Sequence, residues 1–207
     1  NYNTANGVQA LYSNTTASNN TAVGYQAGNS NTTGDNLAAF GRQALSSNTT
    51  GADNTAIGDR AMDDNTTGSL NVAVGMNSLA NNTSGNNNVA IGREALVLNT
   101  TASDNVAVGY QAGYNNTTGT RLVALGSGSL FSNTTGINNV ALGHSALRLN
   151  TTGSSNIAIG YGTGVNVTTG LANTLVGNDW TGVWGACGEA ITTGSGNSFY
   201  GTGSGRV

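Results

Sequence analysis

Glycine returns every seventeen residues along this chain, at Gly7, Gly24, Gly41, Gly58, Gly75, Gly92, Gly109, Gly126, Gly143, Gly160 and Gly177. Asparagine keeps the same step at Asn14, Asn31, Asn48, Asn65, Asn82, Asn99, Asn116, Asn133 and Asn150. Alanine keeps it two residues before each glycine, from Ala5 to Ala158. No insertion disturbs these files, although surface loops of globular domains tolerate insertions well. Such spacing has a physical cause. Stacked coils place each residue over its counterpart, and one extra residue would throw a whole column out of register. Seventeen residues are too few for a helical hairpin repeat and enough for one short β-coil. The sequence therefore predicts an all-β chain, a β-solenoid of the β-roll or β-helix kind, with about eleven coils over residues 1–177. After Gly177 the register fails. Residues 178–207 hold Trp180, Trp184, Cys187, Phe199, Tyr200 and a Gly/Ser-rich run. They read as an irregular cap over the open last edge, or as a joint that docks onto the next subunit.

Each repeat opens on Asn-(Thr/Val)-Ala-(Val/Ile)-Gly, as in Asn88-Val89-Ala90-Ile91-Gly92, and β-branched residues suit a strand there. The closing glycine points to a backbone conformation closed to other residues, or to a place where two backbones meet. Ala-Leu follows after two variable residues, then Asn-Thr-Thr-Gly, which reads as a second short strand or a corner ending in a turn. Ala17 and Ala102 stand in for that turn glycine, which argues against a strictly positive φ there. The two asparagine columns suggest ladders of side chains bonded to their copies above and below. The uniform alanine marks a close approach. Its neighbours alternate to the opposite face and are apolar too, as in Val72 and Val74, Val89 and Ile91, or Val106 and Val108. A strand apolar on both faces is usually covered on both, and a thin single solenoid covers only one. One Val/Ile and one Leu per coil also bury too little to order seventeen residues unaided. These residues, with Trp180 and Trp184, are the self-assembly candidates, and the expected partner is a copy of the same chain in a trimer or a head-to-tail filament.

Composition narrows the function classes. The formal net charge is −3, charged residues are 7 %, and the six basic residues are scattered, so nucleic acid is not an expected partner. No stretch has the length of a transmembrane helix, and no membrane insertion is expected. The chain opens on Asn1-Tyr2-Asn3 without Met or a signal-peptide pattern, and reads as a mature product or a piece of something longer. One cysteine allows no intrachain disulfide.

The Asn-x-Ala-(Val/Ile)-Gly element resembles the repeat of trimeric autotransporter adhesin heads. The Asn-Thr-Thr-Gly element is similar to the shafts of phage tail fibres and related bacterial surface fibres. The resemblance spans about residues 3–177. It implies a β-roll, three chains side by side, a place outside the cell or on a virion, and a role in attachment. Autotransporter head coils are shorter and lack the Asn-Thr-Thr-Gly arm.

No catalytic constellation stands out, and neither an enzyme, a cofactor nor a metal site is expected. His144 shares its repeat position with Tyr25, Arg42, Asp59 and Tyr110, a pattern of variable exposed residues. Asp35, Asp53, Asp59, Asp63, Asp64 and Asp104 form no column, and the Gly-Gly-x-Gly-x-Asp signature of calcium-binding rolls is absent. No Gly-Lys-Ser/Thr follows a glycine run. The sequons at Asn14, Asn31 and Asn48 belong to the ladder rather than to glycans. The expectation is a non-enzymatic extracellular structural fibre that assembles with other copies. The alternatives are a carbohydrate-binding module using Tyr25, Tyr110 and Tyr161, with a surface glycan or receptor as partner, or an ice-binding face built on the paired threonines. Of those paired threonines, only one per coil can point outward.

Overall fold

The computed structural model describes residues 2–178 and 185–205. Two compact units divide the chain, Asn1–Asp104 and Asn105–Val207. Each is a parallel β-solenoid. The first carries β1 (Thr4–Asn6), β2 (Thr21–Val23), β3 (Ala38–Phe40), β4 (Thr55–Ile57), β5 (Val72–Val74) and β6 (Val89–Ile91). The second carries β7 (Val106–Val108), β8 (Val123–Leu125), β9 (Val140–Leu142), β10 (Ile157–Ile159), β11 (Thr174–Val176) and β12 (Ser198–Tyr200). Consecutive strands from β1 to β6 and from β7 to β11 pair in parallel at the repeat step: Ala56 lies beside Ala73, and Ala124 beside Ala141. Each coil has one strand of three residues. Asn-Thr-Thr-Gly is a corner rather than a second strand, though its backbone still bonds from coil to coil, as Thr32 N–H does to the Thr49 carbonyl at 2.9 Å.

The coil closes on left-handed corners. The strand glycines from Gly7 to Gly160 sit at φ from 125° to 139°. A Cβ on Gly75 would stand 2.7 Å from the carbonyl carbon of Gly92 in the next coil. Both reasons for glycine, conformation and contact, therefore hold together. Two, four and twelve residues on, ordinary side chains also take positive φ: Gln43 at 58°, Leu45 at 54° and Asp53 at 57°. The glycine of Asn-Thr-Thr-Gly has no positive φ in these coils. Crowding favours it, since a Cβ on Gly68 would come within 2.7 Å of Asn82 Nδ2, yet Ala17 and Ala102 are accommodated at the same position, buried.

The core is built from alanine and leucine. Ala22, Ala56, Ala73 and Ala141 are fully buried, and so are Leu45, Leu79 and Leu147. Valine and isoleucine of the strand do not join this core. They flank the buried alanine and point outward, half-buried or exposed. Where glycine replaces the left-handed leucine, a neighbouring coil fills the gap: a Cβ on Gly28 would meet Leu11 Cδ2 at 2.9 Å.

The seventeen-residue step ends at Gly177, but the coil does not. Residues 185–205 form a further coil at a step of twenty-four, with Thr174 beside Ser198 and Leu175 beside Phe199. A seven-residue insertion thus separates two regular coils, where the sequence had suggested an irregular cap or joint. Six of the inserted stretch's residues, 179–184, lie outside the described residues, and Trp180 and Trp184 with them.

Candidate functional site

Asn14 begins one inner ladder. Asn48 Nδ2 donates to Asn31 Oδ1 at 2.9 Å and to the Gly51 carbonyl at 2.9 Å. Asn65 and Asn82 repeat both bonds, and so do Asn133 and Asn150 in the second unit. Asn99 bonds Asn82 and its own corner in the same way, and Asn116 Nδ2 donates to the Gly119 carbonyl. The other asparagine column works differently. Its carboxamide oxygen accepts the backbone N–H of the next coil, as Asn54 Oδ1 does from Asn71 at 3.0 Å, while its Nδ2 donates across the coil to a corner carbonyl. It is a cross-brace as well as a ladder. Leu37 and Leu122 interrupt it and offer no such oxygen.

These bonds dispose of the column sequons. Asn31, Asn48 and Asn65 are fully buried, and their Nδ2 groups are committed to two acceptors each. A glycan on that nitrogen would replace one of its two N–H donors, break the bond that donor makes and find no room. The paired threonines also divide. The first uses its hydroxyl on the next coil, as Thr49 Oγ1 does to the Thr66 carbonyl at 2.9 Å, and the second is exposed. One outward file of hydroxyls per coil remains.

The outward sheet face carries the self-assembly candidates. Val72 and Val74, Val89 and Ile91, and Val106 and Val108 are all brought onto this face of their units. The five valines are half-buried, while Ile91 is 38 % exposed and Ile57 43 %. Ile157 and Ile159 are exposed in the second unit. Across β1 to β12 no charged residue occupies either outward strand position. Charge sits beside the face instead. Arg42 pairs with Asp59 at 2.8 Å, Arg93 with Glu94 at 3.2 Å, and Arg60 approaches Asp63 at 3.9 Å. Ser46 Oγ donates to the Asp63 carboxylate. Partial burial pushes the Asp64 carboxyl above its ordinary value; the Asp63 charge adds to the rise and Arg60 pulls it back.

The residue after the strand glycine is the exposed column expected for His144. Tyr25, Tyr110 and Tyr161 share it and are 49 %, 48 % and 53 % exposed. His144 stacks on Tyr161 with ring centroids 4.9 Å apart. Four residues further along the repeat, Tyr114 stacks on Phe131 at 5.1 Å, and the Arg148 guanidinium lies 4.9 Å from the Phe131 centroid. Sequence reasoning missed both stacks, although a shared repeat position one coil apart is the signal for each.

At the last described coil, Phe199 stands in the alanine column beside a cavity of about 520 Å³ lined by Ile191, Thr192, Gly194, Asn197 and Gly205. Cys187 is buried, with Sγ 3.4 Å from the Phe199 carbonyl and 3.2 Å from Ser204 Oγ. Among the described residues no three His, Cys, Asp or Glu side chains gather as a metal-binding group, and no helix is long and apolar enough to cross a membrane. Comparison with protein families, with curated proteins and with solved structures finds no match to this chain.

Proposed function

We propose that this chain is a non-enzymatic structural module of an extracellular fibre, which assembles laterally with copies of itself and serves in attachment. The observation that carries the reading is the outward sheet face. Both outward files are apolar from β5 to β6 in the first unit and from β7 to β10 in the second, and no outward strand position carries a charge, although Thr4, Thr21 and Thr55 make the first unit's leading file partly polar. A parallel sheet is ordinarily covered on both sides, and a solvated sheet face ordinarily alternates to polar residues. A second copy is the partner whose surface repeats at the same spacing, so its side chains can interdigitate along the full face. The net charge of −3 offers little repulsion between copies. The buried ladders support a role in which stiffness rather than chemistry is selected. Attachment and an extracellular place come from the resemblance of the Asn-x-Ala-(Val/Ile)-Gly repeat to surface fibres.

Sedimentation velocity at tens of micromolar tests the assembly. The chain should sediment as an oligomer, and a double substitution of Val123→Lys and Val140→Lys should return it to monomer with an unchanged circular dichroism spectrum. A wild-type chain that stays monomeric at that concentration overturns the reading.

A further inference from the structure

A slot between two aromatic side chains marks the surface of the second unit. In four successive coils the residue after the strand glycine is Tyr110, Ser127, His144 and Tyr161. Where two rings follow one another they stack at a single coil step, as His144 and Tyr161 do, with planes 10° apart. Between Tyr110 and His144 the column holds only Ser127. Those two rings therefore stand two coil steps apart, about 9.6 Å at the parallel-strand spacing. Gly126 and Gly128 flank Ser127, and the place of a side chain at Gly128 is taken by Arg148. Arg148 closes one end. Its Nη1 lies 2.8 Å from the point where a Cβ of Gly128 would stand, and its guanidinium leans on the Phe131 ring. Among the described residues no carboxylate pairs with Arg148.

We propose that this slot binds the pyranose ring of an acidic sugar, clamped between Tyr110 and His144 with its carboxylate on Arg148. Contact on both faces of a guest takes about 7–8 Å between flat surfaces. The remaining space suits a puckered ring with axial hydrogens and leaves a flat ring loose. Aromatic faces carry partial negative charge and attract the positive C–H groups of a sugar. The Ser127 hydroxyl both donates and accepts towards ring hydroxyls. The guanidinium fork matches a carboxylate and supplies the selection for an acid over a neutral sugar. The first unit has no such slot. There Tyr25 stands between Val8 and Arg42 in the same column. The proposal rests on the coils of the second unit alone and is independent of self-assembly.

Saturation-transfer NMR and calorimetry with the trisaccharide of galacturonic acid, and with its methyl ester, test it. The wild-type chain should bind the acid with a Kd of about 1 mM or tighter, and the ester about tenfold more weakly. Ser127→Tyr places in the slot a side chain that other coils already carry at this position. It should preserve the unfolding midpoint and weaken binding more than about tenfold. Tyr110→Ser and His144→Ser should weaken binding similarly, whereas Tyr25→Ser should not change it. No binding by the wild-type chain overturns the proposal, and so does full binding by a folded Ser127→Tyr variant. Equal affinity for acid and ester overturns the assignment of Arg148, a result that needs no substituted protein.

Discussion

The two units share their inner columns and differ at their surfaces. In the first, the column two residues after the strand glycine forms a polar run: Gln26 Nε2 donates to Gln9 at 2.8 Å, and Arg60 Nε to Gln43 at 3.2 Å. The ion pairs Arg42–Asp59, Arg60–Asp63 and Arg93–Glu94 also lie there. In the second unit the same surface carries ring stacks and the Tyr110–His144 slot. Inside, both units repeat one set of bonds: buried alanine, left-handed leucine and the asparagine ladder. The lesson is that the scaffold is specified by columns facing the axis. Outward columns are free to diverge, since each contacts only its neighbours. One inner column does differ. The asparagine ladder of the second unit stops at Asn150, and Val167 and Ile191 take its place.

Substitution on the inner side of this divide should be far more damaging than on the outer side. Gly75→Ala is the most severe case. The alanine would sit at φ 129°, with its Cβ 2.7 Å from backbone of the next coil, so neither side-chain rotation nor a small shift relieves it. We expect a loss of about 4 kcal/mol or more. Thr67→Ala, on the exposed threonine file, should change stability by less than about 0.5 kcal/mol. Thermal unfolding followed by circular dichroism separates them. A mild effect at Gly75 would show that the coils are not stacked as closely as described.

The ladder comes next in size. Asn82 donates to Asn65 Oδ1 at 2.8 Å and to the Gly85 carbonyl at 3.0 Å, and accepts from Asn99 at 3.0 Å. Asn82→Ala leaves these buried groups without that partner, at a cost of roughly 3 kcal/mol. Urea unfolding measures it. A loss below about 1 kcal/mol would mean that water enters the coil and replaces the carboxamide.

Much of this was legible in the sequence, because a period without gaps leaves few alternatives to stacked coils. The asparagine ladder and the strand alanine followed directly. The identity of the core did not. Valine and isoleucine are the obvious core residues, yet a three-residue strand has one inward position, and here it is alanine. The left-handed corners had a signal that went unread. Leu11, Leu45 and Leu79 alternate with Gly28, Gly113 and Gly164 in one column, and such interchange points to positive φ. Asn19, Asn36, Asp53 and Asn87 carry the same message in another column. The coil beyond Gly177 was also visible. Thr192-Thr193-Gly194 and Asn197-Ser198-Phe199-Tyr200-Gly201 keep the motif, and only the insertion hides it from a fixed-step reading. The pairing of Arg148 with Gly128 was not legible, since it depends on where one long side chain folds back.

The end of the ladder offers the finest test of the comparison between units. Asn150 Oδ1 is buried without a hydrogen-bond partner, because the residue one coil on is Val167 rather than asparagine. Val167→Asn would supply a donor to Asn150 and another to the Gly170 carbonyl. It would also lose apolar burial and pass the orphaned oxygen to the next coil, where Ile191 is buried. The single substitution should therefore destabilise by about 1 kcal/mol. Adding Ile191→Asn extends the ladder to the last described coil, where Thr192 and Gly194 are exposed and water can reach the final oxygen. The pair should then recover about 1 kcal/mol relative to the sum of the two single changes. A double-mutant cycle in urea reads this coupling directly. Strict additivity would show that each asparagine is stabilised by its own corner carbonyl alone, and that the column is a set of independent caps rather than a ladder.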